Sequence, residues 1–283
     1  MQTKVIKQKI KSVGGIKKIT KTMEMVSAAK MKKAIDSAIV LRPFYTEAQN
    51  ILHTISFDPL VSHPFIKHNG SNTELVIIVA SNKGLCGGYN TNVYRKLIEK
   101  YPEERRNTIK VIAVGKFAEK IAKRLNLEVL ASFTSPLFSN KDARALTKIV
   151  ITEYLNKNVG SVRILYTHFT SGSIFTPTYT PLLPFIPDTH HKAHHHNTLY
   201  TYEPGQGEVL TAVIPILTEN IIFGAVLESY ASEHSARMFA MKNATDSAKE
   251  LQDNLKLYFN RARQAAVTQE ISEIVSGAMA QQN

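Results

Sequence analysis

The chain has 283 residues, 43% of them hydrophobic, and a formal net charge of +12. That length gives room for one large domain or two small ones, and the apolar fraction suits a folded core. A single cysteine, Cys86, excludes an internal disulfide and fits a reducing compartment. Uninterrupted apolar runs such as Leu75 to Ala80 are too short to span a bilayer. Met1 leads into Lys4, Lys7, Lys9 and Lys11 with no apolar region behind them, which is neither a secretory signal nor, lacking Arg, a transit peptide.

The charge is concentrated. Residues 1–33 hold ten lysines against one acid, Glu24, whereas residues 231–283 hold six basic and six acidic residues. A basic stripe calls for an acidic partner: nucleic acid, anionic lipid or acidic protein loops. The bland alternative is a solvated helix face.

In chain order, residues 3–56 read as helix. Ile6, Ile10 and Val13 open an apolar face, and Gly14-Gly15 interrupt it at about 1 kcal/mol each relative to Ala, enough to kink or fray the helix. Ile16, Ile19, Met23 and Val26 follow three-four-three spacing. Pro43 is a bend, after which the stripe resumes at Tyr45, Ala48, Leu52 and Ile55. Residues 57–73 break any period and form a linker.

Then the texture changes. Glu74 to Ser81 is a continuous apolar run rich in β-branched residues, the mark of a strand buried on both faces. A Gly-rich turn and a helix, Thr91 to Lys100, follow. Ile109 to Gly115 is a second buried strand, with a helix from Lys116 to Leu125; Glu128 to Ala131 is a short strand; Asp142 to Asn156 is helical; Val162 to Thr167 is a strand. This alternation predicts a parallel, Rossmann-like layered domain. Phe175 to Phe185, with three prolines, reads as an edge strand, and Leu199 to Tyr202 as its pairing partner. Between them, His190, His191, His194, His195 and His196 form a tract of a kind that binds transition metals, but without cysteines nearby it reads as a solvated loop insertion.

The loop Ser81-Asn82-Lys83-Gly84-Leu85-Cys86-Gly87-Gly88-Tyr89-Asn90 lies where a nucleotide-binding fold puts its phosphate loop. It is neither GxGxxG nor GxxxxGK[ST], and no acidic residue ends the second strand. The fold therefore looks like a nucleotide binder without the site, and Cys86 like a packing residue. No spacing such as HExxH points to a metal, and no cofactor is expected.

From Met241 an apolar or small residue recurs at Ala244, Ala248, Leu251, Leu255, Tyr258, Ala262 and Ala265, the heptad stripe of a coiled-coil seam. Beyond Ala265 a second stripe runs through Val267, Ile271, Ile274 and Ala278. A helix from about Pro215 to the C-terminus would reach roughly 100 Å at about 1.5 Å per residue, too long for one globular body. The N-terminal helix is its natural partner. The expected division is a shaft of residues 1–58 and 208–283 around an α/β domain of residues 70–205.

Three stretches together resemble the γ subunit of F-type ATP synthases: IKKITKTMEMVSAAKMKK at 16–33, SNKGLCGGYNTN at 81–92, and ASEHSARMFAMKNAT at 231–245 with ARQAAVTQEISEIVSGA at 262–278. The resemblance implies an α/β fold with a long antiparallel coiled coil of the terminal helices, acting as a rotor shaft that catalyses nothing. It implies a shaft set in the cavity of the α and β subunits, an α/β domain that meets the ε subunit and the ring of c subunits, and rotation that couples proton flow to ATP synthesis. By matching motif, Lys21, Met23 and Lys30 would lie near acidic β loops, and Arg263, Gln264, Thr268, Gln269 and Glu270 would face β and α loops higher up. Gly14-Gly15, Asn82-Lys83 (where Asp-Arg is usual) and the His tract depart from the family pattern. Two other classes remain open on the residues alone: a nucleic-acid-binding coiled-coil protein, motivated by the basic helix, and a nucleotide-dependent enzyme on the α/β domain.

Overall fold

The structure, a computed structural model, describes residues 2–56, 63–169, 175–185, 203 and 205–281. The His tract and the strand expected at Leu199 to Tyr202 lie outside the described residues, as do the side chains of the stripe from Tyr45 to Ile55. The elements are α1 (Gln2–Ser56), β1 (Glu74–Val79), α2 (Tyr89–Lys100), β2 (Ile109–Val114), α3 (Lys116–Arg124), β3 (Glu128–Phe133), α4 (Asn140–Leu155), β4 (Ser161–Phe169), β5 (Phe175–Leu183) and α5 (Gln206–Gln281). They divide into two compact units, residues 28–236 and residues 1–27 with 237–283.

The larger unit is built on one five-stranded sheet in the order β3-β2-β1-β4-β5. β1 to β4 are parallel and β5 runs antiparallel to β4 at the edge, carrying Pro177 and Pro181. β1 is fully central, so both its faces need cover. Leu75, Ile77 and Val79 face one layer, with Ala143, Leu146, Val150 and Tyr154 of α4. Val76, Ile78 and Ala80 face the other, with Val93 and Leu97 of α2 and Ala118, Ile121 and Ala122 of α3. Successive strand residues point to opposite faces, which is why the run reads as continuously apolar. α4 starts on a capping box between Ser139 and Asp142.

The first layer needs a second helix, and α5 provides it. Leu210, Ile214, Leu217, Ile222 and Val226 are all buried against the sheet. Pro215 does not start this helix, as the sequence reading has it, but lies inside it. An interior proline costs about 3 kcal/mol, whereas burying Leu210, Ile214 and Leu217 returns about 1.5–3 kcal/mol each. Packing outweighs the lost hydrogen bond. α5 also contains an 18-residue window of mean hydropathy 1.9, high enough for a membrane span by composition. That window is 39% buried, and the helix uses its apolar side chains here as a sheet cover.

In the smaller unit the N-terminal part of α1 and the C-terminal part of α5 pair. Thr20 Oγ1 accepts from Thr245 Oγ1 at 2.8 Å, and a Cβ on Gly14 would come within 3.0 Å of the Gln252 amide nitrogen. Numbers fall on α1 as they rise on α5, so the helices are antiparallel, as expected. The seam is not the expected one. On α5 the covered track is Met241, Thr245, Ala248, Gln252, Leu255, Phe259, Ala262 and Ala266; on α1 it is Ile6, Ile10, Val13, Lys17, Thr20, Glu24 and Ser27. Ile16, Ile19 and Val26 are about half exposed or more, as are Leu251 and Tyr258. On α5 every second seam position is displaced by one residue from the apolar reading, and on α1 only Met23 of Ile16, Ile19, Met23 and Val26 stays partly covered. The physical reason is close approach: small or hydroxyl-bearing residues let the two backbones come together, and the Thr20–Thr245 pair satisfies its buried oxygens internally. Extrapolated at one residue per residue, these pairs put Gln2 level with about residue 264. From Val267 to Met279 α5 is exposed throughout.

Gly14 and Gly15 do not break α1, which is helical through both. Gly14 is a notch that admits Gln252; Gly15 faces open space. Gly15→Ala should therefore stabilise the paired helices by about 0.5–1 kcal/mol, the full difference in helix propensity. Gly14→Ala should gain less, because Gln252 must move. Thermal unfolding followed by far-UV circular dichroism of the two variants checks the order. A second expectation concerns the sheet. A fragment 63–236 should unfold cooperatively, whereas one ending at residue 205 should not, because it lacks the five buried α5 side chains, worth about 1.5–3 kcal/mol each in a domain whose whole margin is about 5–15 kcal/mol. Urea titration of both fragments is the measurement.

Candidate functional site

In an open α/β sheet a ligand lies beyond the carboxyl ends of the strands, where the strand order reverses. Here that point is between β1 and β4. It is filled by protein. Cys86, Tyr89 and Ala236 form a buried cluster there, with Phe175 against it. The Tyr89 hydroxyl lies 2.8 Å from Ser229 Oγ on α5. Ser229 Oγ also accepts from the Thr167 backbone N–H at 3.2 Å, and the Ser232 hydroxyl donates to the Thr167 carbonyl at 3.2 Å. Burial first, and then the nearby Glu233 carboxylate, push the Tyr89 phenol pKa far up and keep its proton on. Ser229, Ser232, Glu233 and Ser235 are all buried. The stretch from Ala231 contributes to the resemblance as a string of letters; its physical role is a polar belt that locks α5 to β4.

The other half of the crevice is closed by Asn82. Its Nδ2 donates to the Ser135 carbonyl at 2.8 Å and its Oδ1 accepts from the Lys116 N–H at 3.1 Å. One side chain thus ties together the turns after β1, β2 and β3. The β2 turn is held tight as well: Gly115 has φ +96°, and a Cβ there would sit 2.1 Å from the Ala80 carbonyl oxygen. Ser81 and Asn90 bond each other across the loop, Ser81 N–H to Asn90 Oδ1 at 3.1 Å and Asn90 Nδ2 to Ser81 Oγ at 2.7 Å. The backbone N–H groups that a phosphate would need are committed at Ser81 and Lys116. Cys86 is buried, in keeping with a packing role.

The sites named from motifs fall mostly in the smaller unit: Lys21, Met23, Arg263, Gln264, Thr268, Gln269 and Glu270 belong to it, and Lys30 belongs to the larger one. Lys21 is exposed and bonded to Glu24 at 2.9 Å; Met23 is half-buried. Arg263, Gln264, Thr268, Gln269 and Glu270 are all exposed, and Gln269 donates to Glu273 at 2.9 Å.

Sequence reasoning placed the basic charge on α1 alone. The structure adds α5: a groove of about 1590 Å³ is lined by Lys4, Lys7, Lys11, Lys17, Lys18 and Lys21 from one helix and by Lys242 and Lys249 from the other, with Glu24 and Asp246 as its acids. The heptad spacing of Lys242 and Lys249 was the available signal, hidden by the even charge balance of the C-terminal region.

Comparison with known proteins agrees along the whole length. A family model described as ATP synthase matches residues 2–280. The ATP synthase gamma chain of Staphylococcus saprophyticus is 34% identical over 284 residues, covering 98% of each chain; that of Desulfitobacterium hafniense is 37% identical over 280 residues, covering 97% of each. A chain of the Euglena gracilis mitochondrial ATP synthase aligns over 99% of this one and 94% of its own, with TM-score 0.70 and 21% identity. A chain of the Tetrahymena thermophila central stalk and c-ring aligns over 80% of this one and 99% of its own, with TM-score 0.62 and 22% identity; these two likenesses speak to fold. A paired-helix unit, a nucleotide-type sheet whose crevice is filled by its own side chains, and a match running from residue 2 to residue 280 converge, and the chain belongs to the ATP synthase gamma chain family.

Proposed function

We infer that the chain is the rotating, non-catalytic central stalk of an F1Fo ATP synthase, coupling proton flow through the membrane ring to ATP synthesis on the α/β hexamer. The observation that carries this reading is the antiparallel helix pair in which α5 outruns its partner and bares Val267, Ile271 and Ile274. An exposed apolar stripe of that kind is a liability in water and an asset inside a collar of other subunits. A bearing must allow rotation, so its contacts should be apolar and non-directional. The terminal helices, residues 1–58 and 208–283, form the shaft in this reading, and the α/β domain, residues 70–205, meets the ε subunit and the c-ring. Residues 206–236 serve both, as shaft and as sheet cover.

The basic groove, which Lys21 lines, supports a docking place for acidic loops of β; Met23 and Lys30 are further β contacts in this reading. Arg263, Gln264, Thr268, Gln269 and Glu270 are the contacts for β and α loops. The protein is peripheral to the membrane through its complex, and the bacterial relatives support the cytoplasmic face of the inner membrane.

Two expected outcomes test the reading. Replacing Lys21, Lys30 and Lys33 together by Gln should leave helix content unchanged and weaken association with β in a salt-sensitive way, by up to about 3 kcal/mol since exposed pairs are worth about 0–1 kcal/mol each. Binding measured at two ionic strengths checks it; unchanged affinity at low salt removes charge from the reading. Replacing Val267, Ile271 and Ile274 together by Asp should block assembly with α and β, because three carboxylates would be desolvated at several kcal/mol each. Deleting residues 275–283 should be tolerated. Complex yield and ATPase activity after reconstitution are the readouts, and a triple Asp variant that assembles and turns over like wild type overturns the collar.

A further inference from the structure

The larger unit contains a semi-enclosed groove that its fold does not explain. It is about 410 Å³ in volume, within the range of small-molecule sites. Its apolar walls are Ile35 and Ile39 of α1, Tyr166 and Phe169 of β4, and Ile221 of α5. At one end stands Glu228, whose Oε2 lies 2.6 Å from His168 Nδ1. Among the described residues His168 is the one group bonded to this carboxylate. The glutamate is 27% exposed and sits among apolar neighbours.

Gly224 lines the groove. This glycine is in the interior of α5, where it costs about 1 kcal/mol relative to Ala. Nothing lies within 4 Å of where its Cβ would be, so neither close packing nor backbone conformation requires glycine there. A side chain at this position would project into the groove. A helix that gives up stability to keep a space open beside a partly buried carboxylate has the form of a binding site.

We propose that this groove binds a small amphipathic organic cation, with its ammonium group on Glu228 and its apolar body against Tyr166, Phe169 and Ile221. The carboxylate selects the charge. The aromatic and aliphatic walls select a compact apolar body; besides Glu228 and the His168 bonded to it, the polar side chains lining the groove are Asn220 and Thr180. An anion of the same shape is rejected by Glu228. The groove shares no residue with the bearing stripe Val267, Ile271 and Ile274, and all its lining residues belong to the larger unit.

The test uses the full chain and two probes of equal shape, 4-phenylbutylamine and the neutral 4-phenylbutanol, by isothermal titration calorimetry. The amine should bind about tenfold more tightly than the alcohol, the gain expected of a hydrogen bond to a charged acceptor. In Glu228→Gln the two probes should bind alike, at the affinity of the alcohol. Gly224→Leu should abolish binding of both while keeping or raising the melting temperature, since leucine is the better helix former and has room. The proposal is overturned if neither probe binds, if wild type does not distinguish them, or if Gly224→Leu still binds the amine as wild type does.

Discussion

A parallel sheet buried on both faces cannot be covered by half a layer, and most of this molecule follows from that. β1 has no exposed side, so each face needs two helices. α2 and α3 complete one face. α4 alone leaves the other open, and the chain closes it with the first turns of α5. The helix that pairs with α1 is therefore also a structural member of the sheet domain. α5 is helical from Gln206 to Gln281.

The two duties demand opposite chemistry along one helix. Against the sheet, α5 carries large aliphatic side chains. At its crossing with β4 it changes to Ser229 and Ser232, which bond to the Thr167 backbone and, from Ser229, to Tyr89, with the buried Glu233 nearby. Against α1 it becomes small and polar, with Thr245, Ala248 and Gln252 in contact positions. Hydrophobic burial fixes the first region, hydrogen-bond geometry the second, and steric closeness the third. The seam mixes apolar positions such as Met241, Leu255 and Phe259 with the Thr20–Thr245 hydroxyl pair and the Gly14 notch, which add specificity to the apolar contact.

These regimes differ in how legible they are. The strands β1 and β2 are plain in the sequence because two-sided burial leaves an uninterrupted apolar run. Periodicity suggests that the terminal helices pair; their antiparallel direction is implied by the resemblance. The seam is not legible, because a heptad stripe has a neighbouring track one residue away, and here the more apolar track faces outward. A reading that ranks positions by hydrophobicity chooses Ile19 and Leu251 over Thr20 and Gln252. The closed crevice was half legible: the missing phosphate motif shows that something else occupies the loop, but the role of Asn82 depends on two backbone groups, at Lys116 and Ser135, that only the fold brings near. The start of α5 was misread because Pro215 looks like a boundary and is instead an interior residue carried by its neighbours' burial.

The edge of the sheet has a consequence of its own. Pro177 and Pro181 are four residues apart on β5, so they share one backbone phase, and neither has an N–H to donate. A strand arriving from another chain would find gaps in the hydrogen-bond ladder at regular intervals. β3, the opposite edge, has no proline and is partly covered. The sheet can thus be templated from one side only, which limits runaway strand addition to capping rather than chain growth. Among the described residues, this polarity of the sheet edge is protection against fibril formation.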